Sequence, residues 1–163
     1  MPNDAPFTIR PATPADIPAV YALIMELAAY EQLRETVIST PEDFYAALFG
    51  ETPVAECLVA DVGEETVGTA LFFTNFSTFM GRAGMVLEDI YVQPTRRGKG
   101  IGRAILRRLA QIAQERGYRR MEWAVLDWNQ PAIDFYLSLD AQPMKEWTVY
   151  RLTGEAIARL ARE

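Results

Sequence analysis

The chain has 163 residues, half of them hydrophobic, a formal net charge of −6, one cysteine and no histidine. That size and apolar content suit a single domain over 1–163, with 1–6 a flexible tail. The acidic balance argues against a general nucleic-acid binder and suits a cationic small molecule, the lone Cys57 excludes an intrachain disulfide, and the missing histidines exclude Ser-His-Asp and Cys-His catalysis and His-ligated metal, so no metal is expected.

Phe7 to Arg10 reads as a short strand. Thr13-Pro14-Ala15-Asp16 is a helix start, with Thr13 as N-cap and Pro14 at the first helical position. Ile17, Val20, Leu23, Ile24 and Leu27 keep helical spacing, so this helix is expected to reach about Tyr30. Thr40-Pro41-Glu42-Asp43 repeats the signal for a second helix ending near Gly50. Glu56 to Val62 and Thr66 to Phe73 are strands joined at Gly63-Glu64-Glu65. Met85 to Val92 is a third strand of this block. Its alternation predicts Leu87, Asp89 and Tyr91 on one face and Val86, Glu88 and Ile90 on the other.

A helix follows, with an apolar stripe from Ile101 through Ile112 and Gly117 as its stop. Arg120 to Val125 reads as a strand, Pro131 to Leu139 as a helix capped by Asn129, and Trp147 to Leu152 as a last strand. Thr153 opens a C-terminal helix. The order describes a mixed α/β layer. The N-terminus has no apolar signal-peptide core. The longest charge-free run, Thr66 to Gly81, reads as strand and loop, so no membrane association and a cytoplasmic location are expected.

The most informative stretch is Arg96-Arg97-Gly98-Lys99-Gly100-Ile101-Gly102-Arg103, set between a strand and a helix. Glycines let backbone N–H groups approach a ligand. A helix start adds unpaired N–H groups and positive dipole. The combination suits a phosphate or pyrophosphate. The spacing is not that of a nucleotide P-loop, which needs a lysine followed by Ser or Thr, nor of a dinucleotide G-x-G-x-x-G.

Val92 to Gly102 resembles the signature of GNAT-type acetyl-CoA-dependent N-acetyltransferases. Ile9 to Thr13, Glu26 to Glu31, Leu87-Glu88-Asp89 and Trp128 to Tyr136 resemble the spermidine/spermine (diamine) branch of that family. The resemblance implies an α/β (α+β) fold, its mostly antiparallel sheet splayed around acetyl-CoA with helices on both faces, and a homodimer. It implies that the backbone of Ile90, Tyr91 and Val92 holds the pantetheine arm and acetyl carbonyl. It implies that Arg97, Gly98, Lys99, Gly100, Ile101, Gly102 and Arg103 wrap the pyrophosphate, and that Asn129, Gln130, Pro131 and Ala132 contact the cofactor. Tyr136 is placed near the sulfur, and Tyr30, Glu31 and Glu88 line the amine site. Where the family carries a glycine after the tyrosine helix, this chain reads Leu139-Asp140-Ala141.

The residue types agree with that chemistry. An alkylammonium, pKa about 10.4, must lose a proton before it attacks. Without histidine, Glu88 acting through a water is the candidate base, the Val92 N–H the candidate oxyanion donor, and Tyr136 the candidate acid for the departing thiolate. Cys57 reads as a buried strand residue. The expected activity is acetyl transfer to a small cationic amine, a polyamine or diamine. The alternatives are thialysine, another amino acid or an aminated antibiotic as acceptor, and a non-catalytic acyl-CoA sensor.

Overall fold

The computed structural model describes residues 6–163. The expected tail therefore lies outside the described residues except for Pro6. Five strands run β1 (Phe7–Pro11), β2 (Glu56–Val62), β3 (Glu65–Ser77), β4 (Arg82–Val92) and β5 (Met121–Glu122), in the spatial order β1-β2-β3-β4-β5. The first four are antiparallel neighbours; β5 is parallel to β4 and pairs only at Met85 and Val86. The hairpin at Gly63 is as expected, with Gly63 at φ 62°.

Helix α1 (Ile17–Tyr30) and helix α2 (Pro41–Phe49) cover one face of the sheet. Ile17, Val20 and Leu48 pack there on Cys57 and Val59, and Leu23, Ile24 and Leu27 pack on Tyr91. The capping residues expected at Thr13 and Thr40 are both present, each with an aspartate three residues on. Thr13 opens a short 3-10 turn, Pro14–Asp16, before α1 proper. Arg10 on β1 ties this start down: its Nη groups donate to both Asp16 oxygens at 2.7 and 2.8 Å, and its Nε donates to Asp61 at 2.7 Å. Asp16 is held far below the usual carboxylate range by that pairing.

Helix α3 (Ile101–Glu115) buries Ile101, Ile105, Leu106, Leu109 and Ile112 and packs against β1 to β4. It joins β4 to its parallel neighbour β5, as a crossover helix must. Its end is a Schellman turn. The Gly117 N–H donates to Gln114 O, the Tyr118 N–H donates to Ala113 O, and Gly117 adopts φ 70°.

The chain divides into two compact units, one reaching to Ala124 and one from Val125 to Glu163. The second holds α4 (Gln130–Leu137) and α5 (Gly154–Leu160). Two sequence expectations differ here. The strand expected at Arg120 to Val125 shortens to β5, because only two of its residues find a ladder. The strand expected at Trp147 to Leu152 is not formed: Val149 and Tyr150 are 83% and 92% exposed. β-branched and aromatic residues favour a pleated surface only where a neighbouring strand supplies hydrogen bonds and packing, and among the described residues this segment has no sheet partner.

Candidate functional site

The centre of the site is an extra residue in β4. Leu71 pairs with Asp89, yet the next residue of β3, Phe72, pairs with Leu87. Glu88 is left without a partner, a β-bulge. The alternation expected from sequence therefore breaks. Leu87 lies across from Phe72 and Ile90 across from Ala70, on one face. Asp89 lies across from Leu71 and Tyr91 across from Thr69, on the face that carries α1. Leu87 and Asp89 are thus on opposite faces, not the same one, because the inserted residue shifts the period by one.

The ladder with β3 sets which way the backbone points beyond the bulge. The Gln93 N–H donates to Val67 O at 3.0 Å, one step beyond the Gly68–Val92 pair. Val92 and Ile90 therefore sit at non-hydrogen-bonded ladder positions, and their N–H and C=O groups point away from β3. On that side β5 pairs only with Met85 and Val86, so among the described residues the sheet ladder supplies no partner strand for residues 87–92. The stretch assigned by resemblance to the pantetheine arm thus turns backbone donors and acceptors away from β3, with the Val92 carbonyl taken by Arg97.

The glycine loop follows directly. Gly98 and Gly100 adopt φ 75° and 83°, the left-handed region that only glycine enters freely. A Cβ at either would meet no atom within 4 Å, so handedness, not crowding, requires glycine. Gly100 is the N-cap of α3, which aims the N–H groups of Ile101, Gly102 and Arg103 out of the helix start. Lys99 and Arg103 are exposed beside it. This donor set fits a pyrophosphate.

Arg97 behaves differently from the rest of the loop. Its Nε donates to the Val92 carbonyl at 2.9 Å, and its Cζ lies 5.0 Å from the Tyr30 ring centre and 5.3 Å from that of Tyr91. The Tyr91 phenol is pushed up, chiefly by burial and then by Glu26, with Arg97 opposing.

At the end of α1, Tyr30 and Glu31 are half-buried, and burial raises the Glu31 carboxyl. Gln32 follows with φ 60° and Leu33 donates its N–H to Ala28 O at 2.8 Å, a Schellman turn built without glycine. Asp89 is pushed up to about 6, first by burial, then by Glu88, then by Glu31. Glu88 itself is exposed. Asp89 is the residue that sequence reasoning under-weighted. It stood in the quoted Leu87-Glu88-Asp89 motif, but only the bulge turns it toward α1. Cys57 is buried, its Sγ 3.2 Å from Thr69 Oγ1, and burial pushes the thiol up to about 11, which suits packing and not nucleophilic attack.

In the second unit, Asn129 is buried and caps α4, its Oδ1 accepting from the Ala132 N–H at 3.4 Å. Gln130 and Pro131 are exposed in the first turn. Tyr136 is half-buried beside Phe135, ring centres 5.6 Å apart. Asp140 adopts φ 63° and Ala141 donates to Tyr136 O at 3.2 Å. Aspartate tolerates that conformation better than most residues, so it can hold this turn without a glycine.

No described helix is long and apolar enough to cross a membrane. The model of the acetyltransferase (GNAT) family matches residues 18–140. A thialysine N-epsilon-acetyltransferase of Bos taurus is 42% identical over 94% of this chain and 96% of that protein. An L-ornithine N5-acetyltransferase of Arabidopsis thaliana is 30% identical over 91% of this chain and 85% of that protein. Among solved structures, an integron cassette protein from the mobile metagenome of V. cholerae superposes with a TM-score of 0.80 at 24% identity, covering 96% of this chain and 98% of that one. The chain belongs to the GNAT acetyltransferase family, and it is an N-acetyltransferase that takes its acetyl group from acetyl-CoA and delivers it to an amine.

Proposed function

We propose that the acceptor is the terminal primary amine of a short aliphatic ammonium compound of the thialysine or ornithine kind, taken up on Tyr30, Glu31, Glu88 and Asp89. The observation that carries this reading is the gathering of Glu31 and Glu88 around Asp89, where the two outer carboxylates act on the inner one. Such a group attracts an ammonium. The similarity to thialysine and ornithine acetyltransferases supports an amino acid as its carrier. The carboxylate group alone also suits a diamine, with one ammonium held while the other reacts. That is the second reading.

The cofactor supplies an activated thioester. The backbone of Ile90, Tyr91 and Val92 and the loop from Gly98 to Arg103 would hold it, with Asn129 to Ala132 as further contacts. Asp89, pushed up to about 6, is the candidate proton acceptor of the bulge, because a base works best with a pKa close to the working pH. Glu88, exposed on the same bulge, relays the proton through water. The Val92 N–H points into the open edge, where a donor for the developing negative oxygen is required. Tyr136 supplies the proton that the departing thiolate needs. A homodimer and a cytoplasmic location, both implied by resemblance or composition, complete the reading; sedimentation of the purified chain tests the first.

Release of free thiol from acetyl-CoA tests the acceptor, using thialysine, ornithine, lysine, putrescine and spermidine between pH 6 and 9. Highest kcat/KM for the amino acids upholds the first reading. Turnover of diamines alone transfers the assignment to the second.

A further inference from the structure

We infer that Arg97 is a positioning residue that fastens the end of β4 to the end of α1, rather than a ligand of the cofactor's phosphates. The Val92–Gln93 peptide is held at both ends: the Gln93 N–H by Val67 O at 3.0 Å, the Val92 carbonyl by Arg97 Nε at 2.9 Å. The first bond belongs to the sheet. The second replaces the strand partner that β4 lacks on its open side. The same guanidinium lies over the rings of Tyr91 on β4 and Tyr30 on α1. A second tie runs in parallel, from Gln93 Nε2 to Glu26 Oε1 at 3.4 Å.

One planar cation thus sets the tilt of the Val92 peptide and, through Tyr30, the end of the helix that carries Glu31. The phosphates are left to the loop N–H groups, Lys99 and Arg103. Lysine cannot replace Arg97, because its point charge offers neither a flat face nor a side-directed Nε donor. The link to the acceptor rests on the reading of Tyr30 as part of the amine site; the link to Val92 does not.

The test uses Arg97→Lys and Arg97→Gln with two donors, acetyl-CoA and S-acetylpantetheine, which has no pyrophosphate. Both variants are expected to lose kcat/KM by a similar factor, about tenfold, with either donor. Their calorimetric affinity for CoA is expected to match that of the parent. A wild-type-like Arg97→Lys, a loss confined to acetyl-CoA, or a tenfold weaker CoA complex overturns the inference. So does a lowered melting temperature with unchanged kinetics. Tyr30→Leu separates the two readings. It is expected to raise the amine KM and to be non-additive with Arg97→Lys. If Tyr30→Leu leaves the amine KM unchanged while the Arg97 variants still lose rate with both donors, the acceptor-site reading fails and the β4 clamp stands.

Discussion

The carboxyl group of Asp89 is acted on by that of Glu31, which belongs to the end of α1, while Glu88 adds its own charge from the neighbouring position of the bulge. Burial and these two neighbours hold Asp89 at about 6 against a usual 3.8. Between those two values the unfolded chain has released the proton and the folded chain still binds it, so stability falls as pH rises from about 4 to 6. Asp89→Asn removes that loss. It is expected to be more stable than the parent by about 1–2 kcal/mol at pH 7.5, with the gap closing below pH 4, in denaturant melts at each pH.

The same variant should cost activity. A positioned general base contributes about 10²–10⁴ in rate, so Asp89→Asn should lower kcat/KM by about a hundredfold and flatten its rise near pH 6. Glu88→Gln should lower kcat/KM less and keep that rise. Steady-state profiles between pH 5 and 9 compare the two, and a retained rise in Asp89→Asn returns the role of base to Glu88.

Tyr136→Phe removes the phenolic proton with little change in shape. Its kcat is expected to fall about a hundredfold, with the CoA dissociation constant unchanged. Single-turnover rates check this where product release limits the parent.

Gln32 holds a left-handed conformation at the end of α1 with a side chain that disfavours it. Gln32→Gly is expected to raise stability by about 0.5–1 kcal/mol, read from urea midpoints. The amine KM is the second reading to take, because the turn that Gln32 makes fixes where Tyr30 and Glu31 stand.

Most of the fold was legible because its signals are local. Thr13, Thr40 and Asn129 mark helix starts by their own chemistry, and Gly117 marks an end by its handedness. The glycine loop was legible for the same reason. The bulge was not. Nothing in Met85 to Val92 says that Glu88 will lack a partner, since that depends on the register of Leu71 and Phe72 across the ladder. Asp89 was passed over as a consequence. Trp147 to Leu152 fails in the opposite sense: its residues favour a strand, but the ladder partner that would make one is not encoded in the segment. The place of Arg97 depends on Tyr30, sixty-seven positions earlier, and no local spacing carries that information.

Arg10 bridges β1, the turn before α1 and β2 through Asp16 and Asp61. Arg10→Met is expected to cost about 1–2 kcal/mol at pH 7, a figure reduced for the partial exposure of the guanidinium. Asp16 is depressed in the fold, so its contribution is present above pH 4 and is lost as pH falls below it. The gap between parent and variant should therefore narrow in acid, as thermal melts between pH 2 and 7 would report.

Gly100 sets the first turn of α3 at φ 83°. Gly100→Ala meets no steric obstacle, yet it is expected to cost about 1–2 kcal/mol through the left-handed backbone alone. A loop that relieves this strain by rotating must turn its N–H groups. The KM for acetyl-CoA should rise while the amine KM stays put.

The unpaired Glu88 gives β4 a property that no side chain carries. The pairing with β3 fixes the faces on either side of it: with Glu88 removed, Leu87 would still stand across from Phe72 and Asp89 across from Leu71, in an unbroken ladder. What Glu88 adds is therefore shape. A bulge bends its strand and tightens the local twist, and here that bend falls between the half of β4 that pairs with β5 and the half that leads into the glycine loop.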